Sequence, residues 1–96
     1  MQEYQLYING CWQESTSGKT FLSYNPSIGS PWARIPRCNA NDVDRAVNAA
    51  FQCFSMGSWP RMKASDRGKL LRRLGDSLIK NATMLAEIET TDNGKR

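Results

Sequence analysis

Ninety-six residues with a formal net charge of +4 suit one small domain or a piece of a larger one, because a chain this short buries only a modest share of its surface. Hydrophobic residues at 40% and charged residues at 23% exclude wholesale disorder, and no apolar run approaches the ~18 residues of a membrane span. Three widely spaced cysteines (Cys11, Cys38, Cys53) with no CxxC, and no histidine at all, argue against a disulfide framework, a Cys/His zinc site and a histidine-based triad.

The amino terminus, Met1-Gln2-Glu3-Tyr4, carries neither the basic nor the apolar region of a secretory signal, so the expected compartment is the cytoplasm. Gln5-Leu6-Tyr7-Ile8 is strand-like, and Asn9-Gly10 tolerates the positive φ values of a type I′ turn, so Cys11-Trp12-Gln13 should return beside it as a hairpin. After the polar turn Ser15-Thr16-Ser17-Gly18-Lys19, Thr20 to Tyr24 predicts another strand. Asn25-Pro26-Ser27-Ile28-Gly29 breaks it, and Trp32-Ala33-Arg34-Ile35 predicts a further short strand stopped by Pro36.

From residue 39 the pattern turns helical. Asn39 is a candidate N-cap with Asp42 three residues on, and Val43, Ala46, Val47, Ala50 and Phe54 hold one face apolar. Gly57 and Pro60 interrupt before a second helix from about Ala64 to Lys80, with Leu70, Leu71, Leu74 and Leu78 on one side and Arg67 on the same line. A third helix is expected after Asn81 as its cap, with Leu85 and Ile88 inward and Asn93-Gly94 as a left-handed stop. Asp92 falls on the apolar line of that helix. It either frays out or caps a neighbouring backbone, or else it meets a donor or a cation.

Several motifs carry little. Ser17-Gly18-Lys19-Thr20 imitates the end of a phosphate-binding loop, but position 13 is Gln13 where a glycine is required, and a strand follows instead of a helix. Asn81-Ala82-Thr83 fits a glycosylation pattern without a secretory context. Cys53 beside Phe54 reads as a buried, inert thiol. Seven basic residues from Arg61 to Lys80 face only Asp66 and Asp76, whereas the sixty residues before are balanced at four against four. That stripe either coats the wet face of a helix or makes the chain a small non-catalytic binding module for an acidic partner or nucleic acid. Local chemistry supplies no base, nucleophile or cofactor cradle.

The order of blocks is more specific than any one of them. Leu6-Tyr7-Ile8-Asn9-Gly10-Cys11-Trp12, Asn25-Pro26-Ser27-Ile28-Gly29 and Asn41 to Phe51 resemble the opening of the aldehyde dehydrogenase superfamily. So do Trp59, Asp66-Arg67 with Leu70-Leu71-Arg72-Arg73-Leu74, and Ile88 to Lys95; the nearest-looking branch is the betaine-aldehyde type. The resemblance implies an α/β fold with a Rossmann-like cofactor domain, a catalytic domain and an oligomerisation arm, assembled as a homo-oligomer. It implies oxidation of an aldehyde to a carboxylic acid with NAD or NADP. Residues 1–96 would be the first part of the cofactor-binding domain, strands over 1–38 and helices over 39–96, joined to the remainder of the subunit. The family's nucleophilic cysteine, general-base glutamate, oxyanion-hole asparagine and cofactor loops lie further along. None of Cys11, Cys38 or Cys53 matches the nucleophile, so no catalytic or cofactor-binding residue is expected here, no turnover or cofactor binding by this segment alone, and neither membrane nor nucleic acid as a partner. The resemblance also implies a monovalent cation held by the backbone carbonyls of Ser23 and Tyr24 and by Asp92, an oxygen set suited to a hard ion.

Overall fold

The computed structural model describes residues 1–95. Strands β1 (Gln2–Glu3), β2 (Leu6–Ile8), β3 (Cys11–Gln13), β4 (Thr20–Asn25) and β5 (Ser30–Pro36) come first. Helices α1 (Ala40–Met56), α2 (Ala64–Lys80) and α3 (Ala82–Asn93) follow, with a single 3₁₀ turn at Trp59–Arg61. This is the expected order of short strands and then three helices, a mixed α/β chain.

The β2–β3 hairpin pairs Ile8 with Cys11 and Leu6 with Gln13 across Asn9 and Gly10, whose φ values of 52° and 77° are the left-handed pair a type I′ turn demands. The second sheet has the order β1-β5-β4, with β5 antiparallel to β4 and parallel to β1. Two features of this sheet differ from expectation. β1 was not anticipated, because two polar residues carry no alternation; it exists only by pairing Gln2 with Ala33 and Glu3 with Arg34. β5 is also longer than Trp32–Ile35. Pro36 closes it opposite Thr20, and Pro31, which lacks a donor, is accommodated where the register slips between Ser23 and Tyr24. Ser23 pairs with Ala33 and Tyr24 with Pro31, so Trp32 is the extra residue of a bulge.

α1 begins with a full capping box. Asn39 accepts from the Asp42 amide at 3.0 Å while Asp42 accepts from the Asn39 amide at 3.0 Å. α2 has the expected bounds. Gly94 ends α3 in the left-handed conformation at φ 74°. Asn81 occupies the N-cap position of α3, its carbonyl accepting from the Leu85 amide at 3.0 Å, but its side chain makes no cap bond there. Only one residue separates the two helices, and the Asn81 side chain turns back to donate to the Ser77 carbonyl at 2.8 Å, serving the end of α2. Arg67, on the leucine line, reaches the Met62 and Trp59 carbonyls and ties the 3₁₀ turn to α2.

The face of α1 lies the opposite way from what amphipathicity alone suggests, whereas Ile88 of α3 is half-buried as expected. Along α1 the residues turned to the hairpin are Asp42, Arg45 and Ala49, while Val43, Val47, Phe51 and Phe54 face outward. Leu71, Leu74 and Leu78 of α2 are each more than half exposed. Among the described residues the buried side chains are Ala33, Pro36, Ser15 and Asp42, all in or against the strand region. The molecule is a slab of 48 × 34 × 16 Å with a radius of gyration of 16.8 Å. A closed domain of this length has a radius of about 12.5 Å.

Candidate functional site

The bulge and the end of α3 meet at Asp92. The extra residue in β5 turns the Trp32 indole so that its Nε1 donates to the Asp92 carboxylate at 3.2 Å, and the Ser23 hydroxyl donates to the same oxygen. Asp92 is therefore partnered across 69 residues of sequence instead of fraying. Tyr4 packs edge-on against Trp32, ring centroids 5.9 Å apart. Of the three residues expected to hold a cation, Ser23 and Tyr24 are adjacent where the β4–β5 register breaks, and Asp92 is drawn to Ser23. The donor set, one carboxylate and two carbonyls, is all hard oxygen and fits a hard monovalent ion. Among the described residues no group of three or more Cys, Asp or Glu side chains is arranged to hold a metal.

A second polar cluster, which sequence reading saw only as a helix start, joins the hairpin and the 15–18 turn to α1. Asp42, 1% exposed, accepts from the backbone amides of Asn39 and Thr16, each at 3.0 Å, and from the Arg45 guanidinium at 2.7 Å. Arg45 also donates to Gln13, and Thr16 exchanges hydrogen bonds with the Asn39 side chain at 2.8 and 3.1 Å. The Asn39 amide is the largest influence holding the Asp42 carboxyl down at about 2; burial opposes it, and Thr16 and Arg45 add to the lowering. Asp42–Arg45 was legible as an i,i+3 pair, but Thr16 is 26 residues away and carried no signal. The cluster has no nucleophile. It fastens elements together.

The remaining candidates resolve individually. Gly18 adopts φ 70° in a tight turn closed by its amide on the Ser15 carbonyl at 3.0 Å, and β4 follows, so no helix start faces a phosphate. Cys53 is exposed, against the expectation of a buried thiol, because the side of α1 that bears it is covered only partly by the hairpin; Cys11 and Cys38 are exposed and free as well. No helix of the described residues is long and apolar enough to cross a membrane.

The sequence profile described as "Aldehyde dehydrogenase family" matches residues 12–96. The mitochondrial aldehyde dehydrogenase of Rattus norvegicus is 49% identical over 92 residues, 95% of this chain and 18% of that protein. The crystal structure of an NAD-dependent aldehyde dehydrogenase from Sinorhizobium meliloti matches at 32% identity with a TM-score of 0.93, covering 99% of this chain and 19% of that one. A betaine aldehyde dehydrogenase from Staphylococcus aureus, crystallised in complex with NAD+, matches at 32% identity and a TM-score of 0.91, again over 99% of this chain and 19% of that one. The chain thus spans about a fifth of the length of these relatives, and the reading as a small basic binding module is not supported by such likenesses. With the block order of the sequence, the strand–helix architecture and the family profile in agreement, this chain belongs to the aldehyde dehydrogenase family.

Proposed function

We propose that residues 1–96 form the opening, outer scaffold of the cofactor-binding domain in an NAD(P)-dependent aldehyde dehydrogenase subunit. In this reading the segment packs against the remainder of the subunit and makes no bond to the reacting atoms. The intact subunit oxidises an aldehyde to a carboxylic acid, passes the hydride to NAD or NADP, and assembles as a homo-oligomer. One observation carries the reading. The chain exposes 7745 Å², whereas a closed monomer of this mass exposes about 5500 Å². The excess, roughly 2200 Å², is of the size that obligate interfaces bury, and Val47, Phe51, Phe54, Leu71, Leu74 and Leu78 lie within the exposed surface. Three exposed free thiols suit a reducing compartment, and the cytoplasm is the compartment we propose.

Within that scaffold a monovalent cation would be held by the carbonyls of Ser23 and Tyr24 and the carboxylate of Asp92, tying α3 to β4. It would supply structural charge balance and no chemistry. Asp92 at the bulge, already oriented by Ser23 and Trp32, supports this assignment.

A graft tests both statements. Residues 1–96 replace the matching segment of the rat mitochondrial enzyme. The expected product is soluble, reduces NAD in the presence of an aldehyde, and loses melting temperature when sodium and potassium are exchanged for tetramethylammonium. Asp92→Asn should erase that ion dependence. The isolated chain should reduce no cofactor. A graft that cannot assemble, or turnover by the isolated chain, overturns the scaffold reading, and an ion response unchanged by Asp92→Asn removes the cation.

A further inference from the structure

The chain holds two Asn-Gly pairs, Asn9-Gly10 at the tip of the β2–β3 hairpin and Asn93-Gly94 at the end of α3. In such a pair the glycine nitrogen readily attacks the asparagine side chain, because glycine places no Cβ beside the attacking atom. All four residues are exposed and both glycines have positive φ, so sequence and exposure do not tell the pairs apart. Their hydrogen bonding does.

At the end of α3 both reacting groups are held. The Gly94 amide donates to the Thr90 carbonyl at 2.9 Å, and the Asn93 side-chain oxygen accepts from the Lys95 amide at 2.8 Å. A Cβ at Gly94 would lie 3.2 Å from Cγ of Pro26, so the backbone there has little room to turn. Gly10 differs on every count. Its amide makes no hydrogen bond among the described residues, and no atom lies within 4 Å of where a Cβ would stand. The side-chain bonds at that end of the hairpin run from Gln13 to the Ile8 and Cys11 carbonyls, which leaves the Asn9 carboxamide unbound. Ring closure at Asn9 requires rotation about its ψ and χ1. A two-stranded hairpin of three residue pairs is marginally stable and opens locally, which supplies that rotation.

We propose that Asn9 is a spontaneous modification site, where the exposed hairpin turn converts asparagine to isoaspartate while the held Asn93 reacts far more slowly. The Gly10 nitrogen gives its proton to solvent base and bonds to Cγ of Asn9; the Cγ–Nδ2 bond breaks, and ammonia leaves with a proton. Water then opens the succinimide. Addition at the main-chain carbon of residue 9 breaks its bond to the Gly10 nitrogen and leaves the chain linked through Cγ, which is isoaspartate. Addition at Cγ leaves ordinary aspartate. Water is the only co-reactant, and nothing is oxidised or reduced. Isoaspartate adds a methylene to the main chain and a negative charge at the tip, so the left-handed pair of the type I′ turn is lost. The hairpin register goes with it, and with the register the hold of Gln13 on Arg45 of α1. This inference concerns the turn alone and does not rest on the scaffold reading.

The experiment ages the 96-residue chain in mildly alkaline buffer below its melting temperature, with a parallel sample in guanidinium. After brief tryptic digestion, tandem mass spectrometry follows the peptides ending at Lys19 and Lys95, and enzymatic carboxyl methylation marks isoaspartate. The first peptide should gain the mass difference between water and ammonia at Asn9. In the folded chain Asn9 should react on the order of tenfold faster than Asn93, whose two hydrogen bonds must open first. In guanidinium the two rates should converge. Asn9→Gln should remove the product from the first peptide and leave the slow reaction at Asn93 unchanged. An Asn9 that stays intact in the folded chain, an Asn93 that reacts as fast or faster, or a ratio of rates that guanidinium leaves unchanged overturns the proposal.

Discussion

At the scale of single residues, the group that holds the 15–18 turn and the hairpin to α1 is a buried carboxylate. Asp42 receives two backbone amides and one guanidinium, and its carboxyl is held down at about 2, below its ordinary 3.8. The native state thus favours the ionised form more than the unfolded chain does. Its stabilising effect is complete above the unfolded value and declines as pH falls from about 4 toward about 2, where the folded group finally takes up a proton. The chain should lose stability in acid over that window. Asp42→Asn should flatten this part of the profile while lowering stability at neutral pH, because the Arg45 charge loses its partner. Urea unfolding at several pH values measures both, and an acid slope unaltered by the substitution would remove Asp42 from the account. Sequence reading found Asp42 and its helix start through the Asn39 spacing. It could not find Thr16 or Gln13, since a turn amide and a strand glutamine are chosen as partners only when the hairpin docks.

At the scale of elements, boundaries were more legible than faces. Asn9-Gly10, Asn39 with Asp42, and Gly94 stand where local backbone geometry requires them, and each marks an element end in the structure. Gly94 does more than stop α3. It adopts φ 74°, and a Cβ there would lie 3.2 Å from Cγ of Pro26, so the stop abuts the β4–β5 turn two residues beyond Asp92. Gly94→Ala should cost about 1–2 kcal/mol from the left-handed backbone alone and should loosen Asp92 from Trp32. Thermal melts give the first and indole fluorescence the second. A substitution with no effect on either would mean that the α3 end is not fixed against the turn. Misreadings at this scale share a cause. Local preference assigns the Asn81 side chain to the start of α3 and stops β5 before Pro36, since a cap and a proline are weighed without their distant neighbours. A one-residue link between helices and a bulge opposite Tyr24 then changed which groups lay within reach.

At the scale of the whole molecule, the outward leucines and valines have a measurable consequence. A leucine that faces water in the isolated chain and protein in an intact subunit has two different values. Leu74→Gln should change the stability of the 96-residue chain by no more than about 0.5 kcal/mol, as surface substitutions do. In the graft it should cost about 2–5 kcal/mol, in the range of a core truncation. The isolated chain should also bind a hydrophobic dye strongly and the graft weakly. Equal costs in the two settings, or a chain silent toward dye, would mean that these faces have no partner in the subunit.

The sequence by itself determined the element order, the turn at Asn9-Gly10, the helix limits and, through the order of its blocks, the family. These rest on backbone preferences and hydrophobic spacing, which act within a few residues. Tertiary structure alone decided that Asp92 meets Ser23 and Trp32, that Asp42 gathers the 15–18 turn and Arg45, and which faces stay bare. Each of these depends on contacts between distant segments. Amphipathicity states that a helix has an apolar side; only the packed chain states what, if anything, lies against it.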